Sequence, residues 1–345
     1  MKVLFLPNFR VAKVTVESEA IFPANQISSS RRYWFFKFFT DAQVDVIDNR
    51  SPLDLGKLAG IRRLGFFQAL KAFVNQNNYD VVISHSFNSG FVFAVLRSLV
   101  RMRKPNHVVI DIGCLNGASP NPLQIKLIRF ALKTVRGLVY HSSVNEEFYS
   151  RFFPDVPRKF VAFGVDTDFF RTQARRHTDN YALSIGADKR DYATLLRAWR
   201  GIAVPLRIVG PNSLDTSGVQ NVTVEKPVDI KTLRAYIDDS LFVVLPIEDR
   251  RYSVGQMTLL QCMSMKKTVL SSNVRGVSDY CVDGVNCLLY KSGDEEDLAS
   301  KVRYIIGHGK DGDRISNDAR ESVTSSYTEE AMAQGIERFI ESIIN

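Results

Sequence analysis

LFVVLPIEDRRYSVGQMTLLQCMSMKKTVLSSNVRGVSDYCVDGVNCLL, residues 241–289, decides the fold. Leu241–Leu245 is an apolar, β-branched run of strand length. A polar loop follows, then an amphipathic stretch over Gln256–Met265 that opens on Val254-Gly255. Thr268–Ser271 and Cys287–Tyr290 are further short buried runs. Strand, helix and strand in that order make a βαβ unit with parallel strands. The first N–H groups of such a helix lack intrahelical partners and point outward, so the Gly255 turn is a ready anion site.

The same alternation extends through the chain. Upstream, Val3–Leu6, Val44–Ile47, Val81–Ser84, Val108–Ile112 and Gly137–Val139 read as strands. Helical patterns between them cover Ser29–Thr40, Arg63–Asn75, Gly90–Met102 and Leu123–Lys133. After the polar, charged stretch Arg171–Asn180 the pattern restarts with strands at Tyr181–Ile185, Leu206–Val209 and Thr223–Glu225. The expectation is α/β: two Rossmann-like, doubly wound domains facing across a cleft. Their predicted extents are 1–170 and 171–327; a last helix over 328–345 has no strand left to follow and could pack back across either domain, the first included. In open parallel sheets, ligands sit beyond the carboxyl ends of the strands.

Composition narrows the function classes. At 345 residues, 45% hydrophobic and 24% charged, the chain suits two globular domains. Cys114, Cys262, Cys281 and Cys287 form no CxxC pair, which fits neither a zinc site nor a disulfide framework and suits a reducing compartment. Met1–Leu6 is cut short by Pro7-Asn8 before a signal sequence can form, and no apolar run is long enough to span a bilayer, so a cytoplasmic location is expected.

The net charge of +8 is unevenly spread. Residues 1–170 carry 22 Lys and Arg against 13 Asp and Glu, whereas the remainder carries 23 against 24. Arg31-Arg32-Tyr33-Trp34-Phe35-Phe36-Lys37-Phe38-Phe39, with Arg97, Arg101, Arg103 and Lys104, suggests peripheral docking on an anionic membrane face. Phe35, Phe36 and Phe39 equally suit a core helix. No helix-turn-helix, zinc finger or RNP signature accompanies the charge, so nucleic acid is not expected as a partner.

A second anion site is read at Ser184-Ile185-Gly186-Ala187-Asp188-Lys189-Arg190-Asp191-Tyr192, where a strand ends in glycine and a Lys-Arg pair precedes a helix. An arginine there suits bidentate capture of a diphosphate. Asp166-Thr167-Asp168 has the spacing of a metal-binding DxD but reads as a turn; no metal or other cofactor is expected.

Together these segments resemble the retaining GT-B glycosyltransferases of the family 4 type (glycosyl transferases group 1). SIGADKRDYATLLRAW is similar to the family's G-x-x-x-K/R-D-Y-x-T-L-L-x-A, and Leu206–Val209 with Gly210-Pro211 to its next element. YSVGQMTLLQCMSMKKTVLSSNVRGVSDYCVDGVNCLLY resembles the G-x-x-x-L-L-E-A-M-A-x-G-x-P-V block and the G-x-x-E/D-x-x-x-x-G-x-N-G that follows. Phe163-Gly164-Val165-Asp166-Thr167-Asp168-Phe169 looks like the G-V-D-x-x-x-F that closes the first domain.

The resemblance implies a UDP- or GDP-sugar donor, a glycan or lipid-linked acceptor, and retention at the anomeric carbon. It assigns the donor diphosphate to Gly186, Lys189, Arg190, Gly210 and the helix start Ser253, Val254, Gly255, Gln256, Met257 and Thr258, and the ribose to Gln261. The family's paired glutamates, E-x7-E, read here as Ser253 and Gln261; Glu248 or Asp249 is the nearest replacement carboxylate. Lys267 is taken to replace the glycine after this helix. The family's histidine after a V-V-x-T-x-H-G strand is absent from Val108–Gly113, which leaves Asp111 and His85 as candidate catalytic groups. Two other readings share the architecture: a nucleotide-sugar epimerase and a degenerate, non-catalytic binder.

Overall fold

The computed structural model describes residues 1–13, 27–28, 34–49, 65–113, 115, 121–172, 180–250 and 254–344. It divides into two compact units, Met1–Ala162 with Glu329–Asn345, and Phe163–Thr328.

In the first unit, β1 (Lys2–Leu6) is a central strand whose Val3, Leu4, Phe5 and Leu6 are all fully buried. β2 (Ala12–Lys13) and β3 (Ile27–Ser28) form a separate two-residue ladder. β4 (Gln43–Val46), β5 (Val81–His85), β6 (Asn106–Asp111), β7 (Gly137–Tyr140) and β8 (Arg158–Phe160) complete a six-stranded parallel sheet in the order β4-β1-β5-β6-β7-β8. Helices α1 (Phe66–Asn75), α2 (Phe87–Leu99), α3 (Pro122–Leu132) and α4 (Asn145–Phe152) link the strands. Burial on both faces explains the near-continuous apolar runs read from the sequence.

The second unit repeats the plan. Its strands are β9 (Ala182–Ile185), β10 (Leu206–Val209), β11 (Val222–Glu225), β12 (Phe242–Leu245), β13 (Val269–Asn273) and β14 (Leu288–Lys291). Their order is β11-β10-β9-β12-β13-β14, again all parallel. The helices are α5 (Tyr192–Trp199), α6 (Ile230–Asp239), α7 (Gln256–Ser264), α8 (Glu295–Gly307) and α9 (Gly309–Ser326). The core gathers Trp199 of α5, Ile208, Val244 and Leu270 of the sheet, and Leu298 and Val302 of α8. Each sheet has one point where the winding reverses, between β1 and β5 and between β9 and β12. Such switch points are where ligands bind in this class of fold.

The division between the units falls earlier than the charged stretch at 171–180, and hydrogen bonding explains why. Phe163 N–H donates to the Tyr280 hydroxyl (3.0 Å) and Val165 N–H to the Tyr327 carbonyl (2.9 Å), tying 163–170 to the second unit. The last helix, α10 (Glu329–Ile344), belongs to the first unit. Phe339 and Ile343 pack so closely on Gly137 that a Cβ there would meet them at 2.7–2.8 Å, and Glu337 accepts from Thr40 N–H (2.7 Å).

Two residue assignments behind the membrane reading are corrected. Of the expected helix over 29–40, residues 29–33 lie outside the described residues, and Trp34–Phe38 is a 3-10 helix. Trp34, Phe35, Phe36 and Phe39 are core residues; Phe5 lies edge-on to Phe36 at 5.0 Å. Arg97 is fully buried and donates to the Pro105 carbonyl (2.6 Å), so it cannot meet a membrane. Among the described residues, no helix is long and apolar enough to cross a bilayer.

Candidate functional site

The second unit's switch point is built from three segments that are distant in sequence. β9 is followed by Gly186, whose φ of 137° is open to few side chains. The loop turns at Lys189 (φ 59°) and returns to Arg190, which bridges Ile247 just beyond β12. Asp191 then caps α5, accepting from Thr194 N–H at 3.0 Å.

The Arg190 side chain folds back over the glycine. Its Nε donates to the Ile185 carbonyl (3.0 Å), and a Cβ on Gly186 would stand 2.7 Å from that Nε. Gly210, at the end of β10, is pressed against the same turn: a Cβ on it would lie 2.6 Å from the Gly186 carbonyl carbon. The Tyr192 hydroxyl donates to the Gly186 carbonyl from below. Burial lowers the Arg190 pKa from its ordinary value, although an arginine stays protonated at neutral pH. No carboxylate among the described residues lies within ion-pairing distance of it.

The third segment is the start of α7. Gly255 (φ 84°) occupies its N-cap and supplies no side-chain cap, so the first N–H groups receive no bond from that side chain. A Cβ on Gly255 would meet Ile247 Cδ1 at 2.6 Å and would stand 3.6 Å from Arg190 Nη2. The guanidinium and the helix start therefore adjoin, adding a full positive charge to the positive end of the helix dipole. Val254, Gly255 and Gln256 are half-buried, Met257 is 45% exposed, and Thr258 and Gln261 are buried. The Gln261 amide has no hydrogen-bond partner among the described residues. Ser253 lies outside the described residues.

The other expectations for this unit resolve differently. Lys189 is exposed, and its carbonyl, not its amine, is engaged, accepting from Glu248 N–H (3.2 Å). Glu248 pairs with Arg250, and Asp249 with Arg275 at 3.2 Å, so each already faces an arginine at the surface. The left-handed residue after α7, where glycine is favoured, is Lys266 (φ 53°) rather than Lys267. Lys267 is buried instead, donating to the carbonyls of Asp238 (2.7 Å) and Ser240 (2.8 Å), and burial lowers its pKa to about 8. Asp166 accepts from the N–H groups of Asp168 (3.1 Å) and Phe169 (2.9 Å), which makes 166–169 a turn.

In the first unit the switch point is crossed by a hydrogen bond. His85, the last residue of β5, places Nδ1 3.0 Å from the Asn8 side-chain oxygen just beyond β1. The amide oxygen can only accept, so Nδ1 carries the proton and Nε2 keeps its lone pair. Nε2 is buried without a partner among the described residues, walled by Trp34 and Phe9 with ring centroids at 5.0 and 5.9 Å. Burial first, and nearby His141 second, pull the His85 pKa down to about 3. The imidazole is neutral at physiological pH, an acceptor rather than a matched general base. The next residue, Ser86, holds a strained φ of 86°. Asp111 ends β6, fully buried, and accepts from the Tyr149 hydroxyl at 2.5 Å.

Asn8, Tyr192 and Ile247 were missed in the sequence. Only Tyr192 stood in a motif, and its role depends on the hydroxyl reaching back six residues.

Residues 182–308, which hold the Gly186 loop, Arg190 and α7, match the family model Glycosyl transferases group 1. The second unit is a group 1 glycosyltransferase domain. The chain around it has the GT-B fold. It is similar to sucrose-phosphate synthase from Thermosynechococcus elongatus, with 16% identity, a TM-score of 0.73 and 99% of each chain covered. It is also similar to Anabaena HepE in complex with UDP and glucose (15% identity, TM-score 0.71, covering 99% of this chain and 100% of that one). A third is the UDP-forming α,α-trehalose-phosphate synthase from Burkholderia xenovorans (10% identity, TM-score 0.66, covering 83% and 78%). Among curated proteins no sequence matches. Around the group 1 domain's switch point, the residues assigned to a diphosphate (Gly186, Arg190, Gly210, Gly255) converge, whereas Lys189 directs its side chain into solvent.

Proposed function

We propose that this chain transfers a sugar from a UDP-sugar to a hydroxyl of a glycan or lipid-linked acceptor, with retention at the anomeric carbon. The observation that carries the proposal is the Arg190 guanidinium, free of any described carboxylate, set beside the N-terminus of α7 at the switch point of the group 1 domain. Support for UDP comes from the solved structures of similar fold, among them HepE bound to UDP-glucose.

In this reading the diphosphate lies against Arg190 and the first N–H groups of α7. As the anomeric C–O bond breaks, the electron pair passes to the departing phosphate oxygen. The preorganised positive charge stabilises it there without reorganisation. The acceptor oxygen forms the new glycosidic bond on the face the phosphate leaves, and its proton passes to the departing phosphate oxygen, so the step ends in the glycoside and the free nucleoside diphosphate. Gln261 can both donate to and accept from the ribose hydroxyls. Asp111 and His85 remain the proposed acceptor-handling groups, His85 through the lone pair on Nε2.

The test is donor-dependent stabilisation. UDP or a UDP-sugar at saturating concentration is expected to raise the melting temperature, since a ligand at ~100 times its Kd adds about 2.7 kcal/mol. Arg190→Ala should abolish that rise. If neither UDP- nor GDP-sugars shift the wild type, the proposal fails.

One observation favours a second reading, a binder without turnover. With Gln261 in place of a glutamate, and Glu248 and Asp249 each paired to an arginine, neither replacement carboxylate read from the sequence stands free to hold the sugar. Donor binding without transfer across a broad acceptor panel would select it.

A further inference from the structure

Three adjacent strands of the first unit end in groups that accept hydrogen bonds. His85 closes β5, Asp111 closes β6, and His141 follows β7. The register sets them side by side, each one step further along, with His85 opposite Ile110 and Asp111 opposite Tyr140. Both imidazoles are locked in the same tautomer. His141 Nδ1 lies 2.7 Å from the Val161 carbonyl and His85 Nδ1 3.0 Å from the Asn8 side-chain oxygen, and an oxygen of either kind can only accept. Nδ1 therefore carries the proton in each ring and Nε2 the lone pair. Burial keeps both rings neutral at physiological pH. Asp111, which takes the Tyr149 hydroxyl bond, is a carboxylate and likewise accepts.

This row is the reverse of the second unit's switch point. There the helix start has no side-chain cap and stands beside Arg190, so it offers donors and positive charge. In the first unit Ser86 caps α2, its Oγ accepting from Asn88 N–H (3.1 Å). The strained turn at Ser86 is held by a bond from its N–H to the Ile110 carbonyl (2.7 Å), and backbone strain fixed in this way gathers at ligand sites. Asn8 is fixed as firmly. Its own carbonyl accepts from Asn49 Nδ2 (2.8 Å), and the Pro7 carbonyl accepts from Gln68 Nε2 (2.8 Å). Ser89 Oγ reaches the carbonyls of both Leu6 (3.1 Å) and His85 (2.9 Å), joining the ends of β1 and β5. Within this frame His85 Nε2, buried and without a described partner, still lacks its hydrogen.

We infer that the first unit's switch point is a subsite for an uncharged polyol, the hydroxyl-bearing ring of the sugar acceptor, and that Asn8 is a positioning residue which keeps it so. Each O–H brings a hydrogen to the row. A deprotonated phosphate or carboxylate oxygen brings none, and would set its lone pairs against those of His85, Asp111 and His141. Removing the Asn8 oxygen releases the His85 proton to Nε2, which turns that member of the row into a donor that an anion can use. The row orients the ring and takes no proton from it. That the ring belongs to the sugar acceptor rests on the transfer proposed above, whereas the tautomers and the preference for an uncharged ligand do not.

The tautomers are read by nitrogen NMR of the full chain labelled with 15N-histidine, His85 and His141 being assigned by the loss of their signals in His85→Gln and His141→Gln. Both should show a protonated Nδ1 and a bare Nε2. Asn8→Leu should undo this for His85 alone, and Asn8→Asp, which keeps an oxygen beside Nδ1, should not. Methyl glucoside, a neutral probe, should move the His85 Nε2 signal of the wild type, and inorganic phosphate should move it only in Asn8→Leu. In transfer assays with UDP-glucose, methyl glycosides should exceed the matching uronic acids in kcat/KM by about tenfold or more, and Asn8→Leu should narrow that ratio. The inference is overturned if wild-type His85 carries its proton on Nε2, as it would with the Asn8 amide turned to donate. It is overturned equally if phosphate moves the wild-type signal as methyl glucoside does, if neither probe moves it, or if Asn8→Leu changes the tautomer without admitting phosphate. Melts report whether the variants fold; without a folded Asn8→Leu, the wild-type tautomers and the two probes carry the test. Should UDP-sugars fail to stabilise the chain, the proposed transfer falls, while the probe titrations still decide the subsite.

Discussion

The Arg190 guanidinium rests on Gly186 closely enough that one added carbon would stand 2.7 Å from its Nε. The arginine's position thus depends on the absence of a side chain four residues earlier. Gly186→Ala is therefore expected to weaken UDP-sugar binding by about tenfold or more. A left-handed strain of about 1–3 kcal/mol at φ 137° adds to the displacement of the arginine. Calorimetric titration and a melt of the free protein separate the two effects. Unchanged affinity would show that the arginine does not hold the donor.

Gln261 is buried with an amide that meets no described partner. Restoring the family's carboxylate by Gln261→Glu places an unpaired charge there, which should cost the free protein about 1–3 kcal/mol. Donor ribose hydroxyls would then satisfy it, so the UDP-induced rise in melting temperature should exceed that of wild type. A smaller rise would remove Gln261 from the ribose site.

Tyr149 holds Asp111 through a 2.5 Å hydrogen bond at the end of β6. Asp111→Asn keeps an oxygen to accept that bond, so folding and donor affinity should persist while turnover falls by at least about tenfold. Tyr149→Phe should move turnover in the same direction by less. A wild-type rate in Asp111→Asn would end its catalytic assignment.

Acid should destabilise the first unit through its histidines. Burial lowers the pKa of His85 to about 3 and of His141 to about 4, and holds that of His107 well below its ordinary value. Unfolded, each takes a proton near pH 6.5, so the unfolded state binds more protons and stability falls as pH drops below that value. Each histidine should contribute about 1.4 kcal/mol per pH unit between pH 6 and 4.5. Urea melts over that range, with His85→Gln showing a shallower dependence, check this. Because His85 is already neutral, transfer rates should show no inflection near pH 6.5 from its titration.

Lys267→Met should destabilise the second unit by about 1–3 kcal/mol, read as a lower urea midpoint. It strands the carbonyls of Asp238 and Ser240 at the end of α6.

Most of the sheet was legible because parallel strands buried on both faces spell themselves as apolar runs. The pieces not read were those with a weak local signal. β8 is the charged tripeptide Arg158-Lys159-Phe160 on a sheet edge. α9 begins GKDGD and buries little besides Gly312, Ile315, Ser316, Ala319 and Val323, a stripe of small and branched residues in a polar stretch. At the site, the motifs located Arg190 and Gly255, but not that Ile247 and Tyr192 bring them together. Those contacts depend on β9 and β12 being neighbours, which no local pattern encodes. The aromatic run at 34–39 fitted core and membrane equally in the sequence, because burial, not composition, decides whether phenylalanines face lipid or core.

The last helix, α10, completes a unit whose other residues end at Ala162. Between the sheet of β1 and β4–β8 and the helix that covers Gly137 lies the whole sequence of the second unit. The first unit's set of contacts is therefore the less local of the two: it closes only across an insertion that carries a complete sheet of its own.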